Sequence, residues 1–208
     1  MNKSFSAYLD LCRLFAALIV VLAHFVWFDI STGPWNKFIP QNGHDAVVLF
    51  FVLSGLVIYY TAERKKQRLT NFITDRAVRI YSVAIPIIIG AVVIDSIGIQ
   101  FNEENYTGLY QYEKLYIYIP FHLMFGGELW TLSEQPFTVP PYWSLGYEVW
   151  YYALFAVLYF YSGIKRIIIF CLLFLLVGYK LWLLFPVWLA GVLLFRLIEK
   201  TEPNQFTA

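Results

Sequence analysis

The stretch LDLCRLFAALIVVLAHF, from Leu9 to Phe25, decides the class of fold. It lies within an apolar run from Tyr8 to Phe28, which has about the 20 residues that an α-helix needs to cross a bilayer. The same stretch carries Arg13 and His24, whose ionisable side chains are unfavourable in hydrocarbon. The stretch therefore predicts a membrane-spanning helix that carries two ionisable side chains whose presence must be explained.

Composition supports a membrane protein for the whole chain. The 208 residues are 60% hydrophobic and 14% charged, and the mean hydropathy is +0.61, whereas soluble domains are about a quarter charged. The formal net charge of +1 gives no basis for nucleic-acid binding. We therefore expect the lipid bilayer as a partner and no nucleic acid.

Further apolar runs follow the first one along the chain. They cover residues 46–61, 80–100, 167–184 and 185–197, and another helix begins near Ser144. A shorter apolar patch, 115–125, is interrupted by Pro120 and His122 and is too short for a comfortable span. The pattern predicts an all-α polytopic transmembrane bundle of about six to seven membrane segments, in one domain over residues 1–200 with a polar tail at 201–208.

Positive charge indicates the topology. Six Lys and Arg residues lie between Ala62 and Arg79, and the positive-inside rule makes such a cluster cytoplasmic. The N-terminus is then cytoplasmic as well. If the patch 115–125 does not cross, the later cations also fall inside, which favours six full spans and one partial one; these cations are Lys165, Arg166, Arg196 and Lys200.

Arg13 and His24 share one face of the first helix. Their offset of eleven residues turns a helix by about 1100°, roughly 20° beyond three full turns, and separates them by about 16 Å along the axis. Asp10 lies one turn before Arg13 and can pair with it. Arg13 alone could be an interfacial anchor, and His24 could bond a neighbouring helix. For His24 the functional interpretation is favoured, because intramembrane ionisable groups mark sites and histidine titrates near neutral pH.

Four other candidates have both a functional and a structural interpretation. Asp45 begins the second helix, where it could cap the N-terminus, and Ser54 is a small residue that suits close helix packing. Arg76 and Arg79 are three residues apart on one helical face. They are either a positive-inside anchor or a pair that binds phosphate, which guanidinium groups suit.

The segment WSLGYEVWYY, from Trp143 to Tyr152, places Glu148 near the start of a helix. Tyr151 and Tyr152 follow three and four residues later on the same face. The carboxylate can gain from the helix dipole, orient a histidine or accept a hydrogen bond from a substrate hydroxyl. Trp143 suits an interfacial aromatic belt or a platform on which a sugar stacks.

Four motifs in order give the chain a resemblance to a known family. They are LDLCRLFAALIVVLAHF, then FFVLSGLVI at 50–58, FITDRAVRIY at 72–81 and WSLGYEVWYY at 143–152. The segment FPVWLAGVLLFRL at 185–197 also looks like a later helix of the family. Together they resemble the acyltransferase 3 family of integral membrane proteins.

The resemblance implies an acyltransferase that moves an acyl group other than an amino-acyl group, often acetyl, from acyl-CoA to a carbohydrate hydroxyl. It also implies a bacterial inner membrane location and no metal. Arg76, Arg79 and Arg13 would then bind the donor acyl-CoA. His24 would be the general base or carry the acyl group, and Glu148 would orient His24 or the acceptor. The substrate-binding positions are Asp45, Ser54, Trp143 and Tyr152.

Two other functions stay open. One is a transporter or export component for a polysaccharide or a lipid-linked intermediate, since His and Arg in a span also suit proton relays. The other is an inactive fragment whose partner chain supplies the remaining helices. Family members usually have about ten spans, so we expect that helices are missing at the C-terminus. They also usually have a Tyr-Pro pair where this chain has Tyr81 and Ser82.

Overall fold

The computed structural model describes residues 3–28, 30, 33–106 and 114–201. These residues form seven α-helices and two short 3-10 helices, and no strand occurs among them. The predicted all-α fold is therefore confirmed. The α-helices are α1 Lys3–Trp27, α2 Gly43–Lys65, α3 Leu69–Phe101, α4 Leu115–Leu123, α5 Tyr142–Phe160, α6 Gly163–Val177 and α7 Tyr179–Thr201.

Four helical segments in the described part are long and apolar enough to cross a membrane: Lys3–Trp27, Asn36–Lys65, Leu69–Phe101 and Tyr179–Thr201. The protein is thus an α-helical membrane protein. The nine residues of α4 rise only about 13 Å, well under the roughly 30 Å of a hydrocarbon core. The total of six or seven membrane segments stays a prediction. The predicted polar tail lies outside the described residues, which end at Thr201.

Two helix boundaries differ from the sequence-based expectation. Helix α3 begins at Leu69, so the basic segment with Arg76 and Arg79 is helical before the apolar run starts. The last break falls at Gly178, whose φ of +82° suits glycine, and Pro186 lies inside α7. Trp182 Nε1 donates to the carbonyl oxygen of Phe174 at 2.5 Å, which satisfies a backbone acceptor at the end of α6.

Residues Met1–Lys66 and Pro186–Ala208 form one compact unit, in which α1 packs on α2. The later part of α7 approaches α2 closely, because a Cβ on Gly191 would collide with the carbonyl oxygen of Val52. Arg196 Nε donates to the hydroxyl of Tyr59 at 3.0 Å, and its guanidinium lies 4.9 Å from the centre of that ring. Small residues thus allow backbone contact, as is typical between membrane helices.

Residues Gln67–Phe185 form the second unit. Phe72 of α3 packs against Phe155 and Phe160 of α5, with ring centres 5.7 and 5.4 Å apart. The buried Tyr151 of α5 donates from its hydroxyl to the carbonyl oxygen of Leu181 at 2.9 Å. The aromatic side chains of α5 therefore pack between helices of this unit.

The contact at Gly191 gives a stability test. A Gly191→Ala substitution should lower the melting temperature in detergent, because the added methyl group forces α2 and α7 apart. The matched control is Gly90→Ala, where a Cβ meets nothing within 4 Å. In that helix interior, alanine should be neutral or stabilise by about 0.5–1 kcal/mol. Equal melting temperatures for the two variants would contradict the close contact.

Candidate functional site

In the first unit, His24 lies near the end of α1. Its Nδ1 is 2.7 Å from the carbonyl oxygen of Val20. Because a carbonyl oxygen only accepts, Nδ1 carries the proton in the neutral ring and Nε2 holds the lone pair. The rings of Trp27 and Phe28 flank the imidazole, with centres 5.7 and 6.0 Å away. The tautomer therefore suits a base that acts through Nε2.

Arg13 lies on the same helix and pairs with Asp10, with Nη1 and Oδ1 2.7 Å apart. The predicted pairing is confirmed. The Asp10 side chain is well exposed, so the pair adds little to stability. Whether Arg13 contacts a donor stays a prediction.

Asp45 and Ser54 lie on α2 in the same unit. Asp45 is the third residue of the helix, not its N-cap, and it accepts a hydrogen bond from Asn42 Nδ2 at 3.1 Å. Ser54 is half-buried and adjoins Gly55, at which a Cβ would collide with the carbonyl oxygen of Trp188. Ser54 therefore lies where α2 and α7 pack, and substrate binding by either residue stays a prediction.

In the second unit a cavity of about 320 Å³ lies between α3, α5 and α6. Most of its wall is apolar, with Phe72, Ile80, Ala153 and Val157 among the lining residues. The polar groups on the wall include Arg76 and Tyr152. A mainly apolar cavity with a few convergent polar groups is the usual form of a small-molecule site.

Arg76, Tyr152 and Glu148 form a connected group at this cavity. The guanidinium carbon of Arg76 lies 5.9 Å from the ring centre of Tyr152 and 5.9 Å from that of Phe72. The hydroxyl of Tyr152 donates to Oε1 of Glu148. Arg76 Nε is buried and has no hydrogen-bond partner among the described residues. The structure thus brings together three of the predicted site residues.

Two predicted residues of the second unit lie elsewhere. Arg79 is exposed and does not line the cavity that Arg76 lines. Trp143 lines a second, smaller cavity with His122 and Glu128, and its ring meets that of Tyr147 edge-on at 5.2 Å. Among the described residues, no group of three or more His, Cys, Asp or Glu side chains could hold a metal ion.

Sequence analysis missed the roles of two buried groups next to the loop 124–141. Asp95 of α3 is 1% exposed, and its carboxylate accepts from the backbone N–H of Thr138 at 3.1 Å and from its hydroxyl at 2.5 Å. His122 at the end of α4 is also 1% exposed. Both are ionisable residues within apolar runs, which is the signal that could have found them.

Lys180 anchors the same loop from α7. Its Nζ donates to Glu128 Oε2 at 3.3 Å, to Ser133 Oγ at 2.6 Å and to the carbonyl oxygen of Leu132. Burial raises the pKa of Glu128, and the hydrogen bond and charge of Lys180 oppose that rise. The loop is therefore held by α3 at one point and by α7 at another.

Comparison with known proteins identifies the family. The family model described as "Acyltransferase domain", that of the acyltransferase 3 family, matches residues 6–205. No curated protein and no solved structure matches the chain. The match extends through both units and includes every candidate site residue.

The anchor at Asp95 generates a prediction about the loop. Asp95→Ala should lower the free energy of unfolding by about 1–3 kcal/mol, because it removes the acceptor of the part-buried N–H and hydroxyl of Thr138. Limited proteolysis should then cut within 124–141 sooner than in the wild type. Glu199→Ala is the control, since Glu199 is exposed and such surface changes stay within about 0.5 kcal/mol. Unchanged cleavage of the Asp95 variant would contradict the anchor.

Proposed function

The chain belongs to the acyltransferase 3 family, and on that premise we propose that it moves an acyl group, acetyl first of all, from acyl-CoA to a carbohydrate hydroxyl. The family and the four long apolar helices make it a membrane acyltransferase; donor and acceptor are our proposal. The observation that carries it is the Arg76 guanidinium, with its buried Nε, beside Tyr152 in a mainly apolar cavity, where Tyr152 donates to Glu148.

The lining of the larger cavity in the second unit suits a donor that has an anionic part and a less polar arm. A guanidinium group binds phosphate through a planar fork of N–H donors, and Arg76 Nε has no partner among the described residues. The apolar wall suits the arm that carries the thioester. We assign the phosphates of acyl-CoA to Arg76, with Arg79 and Arg13 as further cationic contacts.

His24 is the proposed general base. Its Nε2 takes the proton of the acceptor hydroxyl while the hydroxyl oxygen attacks the thioester carbonyl carbon. Collapse of the tetrahedral intermediate breaks the carbon–sulfur bond, and the CoA thiolate takes the proton from the imidazolium. The products are the acyl ester and CoA-SH, so atoms and protons balance.

The remaining predicted residues would act on the acceptor. Glu148 accepts from Tyr152, and its carboxylate also has oxygen lone pairs that can accept from a substrate hydroxyl. Asp45, Ser54 and Trp143 are proposed as further acceptor contacts. We also propose a bacterial inner membrane location with the N-terminus in the cytoplasm, because the densest cluster of Lys and Arg precedes and begins α3.

The proposed base gives the first functional prediction. Membranes with His24→Ala should lose transfer of label from [¹⁴C]acetyl-CoA to envelope glycan by 100-fold or more, since base catalysis contributes about 10²–10⁴-fold. Insertion and abundance, followed by immunoblot of the membrane fraction, should stay normal. The control is His44→Ala, an exposed histidine of α2, which should transfer normally. Normal transfer by His24→Ala would overturn the assignment, and an acyl-CoA that stays intact with the wild type would indicate transport instead.

The proposed donor site gives the second functional prediction. Arg76→Gln should raise the apparent KM for acetyl-CoA on the order of tenfold or more, because a hydrogen bond to a charged group contributes about 1.5–3 kcal/mol. Arg64→Gln is the matched control, as Arg64 is exposed in the last turn of α2. Initial rates at varied acetyl-CoA measure both variants. Equal KM values for the two would remove Arg76 from the donor site.

A further inference from the structure

The smaller cavity in the second unit lies where α4, the loop 124–141 and the start of α5 meet. Its volume is about 10 Å³, which is room for about one oxygen atom of a water or a hydroxyl group. Two glycines and a phenylalanine complete its wall, and its polar or amphipathic lining residues are His122, Glu128, Glu134, Tyr142 and Trp143.

The imidazole of His122 is buried and has a nitrogen that can still form a hydrogen bond. The residue is 1% exposed, and its Nε2 has no hydrogen-bond partner among the described residues. Phe121 and Tyr142 meet the imidazole edge-on, with ring centres 5.2 and 6.3 Å away. An unsatisfied buried polar atom costs about 1–3 kcal/mol, and His122 lines the cavity, so its imidazole is a binding group for whatever enters.

The protonation state of His122 determines what it can bind. Burial lowers its pKa to about 4, so the imidazole is neutral at physiological pH. A neutral imidazole has one nitrogen that donates and one that accepts. His122 therefore suits a neutral hydroxyl, which can both give and take a hydrogen bond, better than it suits an anion.

The backbone around the cavity is held in an unfavourable conformation. Among the residues that line the cavity, Phe125 has a φ of 57°, in the left-handed region that residues other than glycine rarely adopt. Such residues cost about 1–3 kcal/mol each and concentrate at functional sites. The hydroxyl of Tyr142 also donates to the carbonyl oxygen of His122 at 3.0 Å. The Tyr142 hydrogen bond thus joins two residues of the cavity wall.

We propose that this cavity binds a hydroxyl group of the carbohydrate acceptor, with the imidazole of His122 as the hydrogen-bond partner. The inference rests on the proposed function, of which it names the acceptor side. Aromatic faces next to carboxylates suit a neutral polyhydroxylated ligand, and no Lys or Arg is among the described residues that line the cavity. His122 is a binding residue here; no bond is made or broken at its ring.

The test uses the full chain in detergent and in membranes. Three variants are compared with the wild type: His122→Phe fills the polar site with an apolar ring, His122→Gln keeps an acceptor oxygen, and His44→Phe is the control. Melting temperatures are recorded alone, with acetyl-CoA, and with a glycan fraction released from the envelope of the producing cells. Acetylation of that glycan is followed with label from acetyl-CoA.

His122→Phe should acetylate glycan at least tenfold more slowly and lose the shift in melting temperature that the glycan fraction causes. Its acetyl-CoA shift should equal that of the wild type, which a misfolded variant would not show. His122→Gln should recover part of both losses, and His44→Phe should behave as the wild type.

Equal glycan binding and acetylation by His122→Phe and the wild type would overturn the inference and leave the cavity with an ordered water only. The inference would also be overturned if the glycan fraction raised the melting temperature of neither the wild type nor any variant. Failure of the proposed function looks different. In that case the wild type shows neither an acetyl-CoA shift nor acetylation, while the glycan shift persists and disappears in His122→Phe.

Discussion

Inside a bilayer every backbone N–H and C=O group must find its partner within the protein, and the structure follows from that constraint. The long apolar helices satisfy it internally. The loop 124–141 is irregular backbone between α4 and α5, where backbone bonds are supplemented by side chains from other helices. Asp95 accepts from the N–H of Thr138, and Lys180 donates to the carbonyl oxygen of Leu132. The hydrogen bonds that Asp95 and Lys180 make to the loop backbone therefore explain why these ionisable residues occur in apolar helices.

The ionisable groups that do not anchor the loop 124–141 are the ones that indicate chemistry. In the second unit Arg76 lies over two aromatic rings with a buried Nε, and Tyr152 connects the same cavity to Glu148. In the first unit the Val20 carbonyl fixes the tautomer of His24 and leaves the lone pair on Nε2. Each group is partly buried, and partial burial strengthens an interaction with a charged partner relative to water. An acyl donor and a hydroxyl acceptor supply such partners.

Hydropathy and motif order predicted the helical membrane fold and the family, because both depend on local sequence. The pairing of Arg13 with Asp10 was also predictable, since it follows from helical spacing. The break at Gly178 was missed because Pro186 is the more conspicuous helix breaker, although a proline can stay inside a helix whose freed carbonyl finds another partner. The small cavity was missed because His122, Glu128 and Trp143 are brought together by a loop with three positive φ angles. No sequence period encodes such a loop.

The central claim is that this chain is a membrane enzyme that esterifies a carbohydrate hydroxyl with an acyl group from acyl-CoA. Mass spectrometry of envelope glycans from cells with and without the chain tests it most directly. Glycan species heavier by one acetyl group should occur only where the chain is present, and mild alkaline ester hydrolysis should remove the added mass. Identical glycan masses in the two cultures, with the chain present in the membrane, would contradict it.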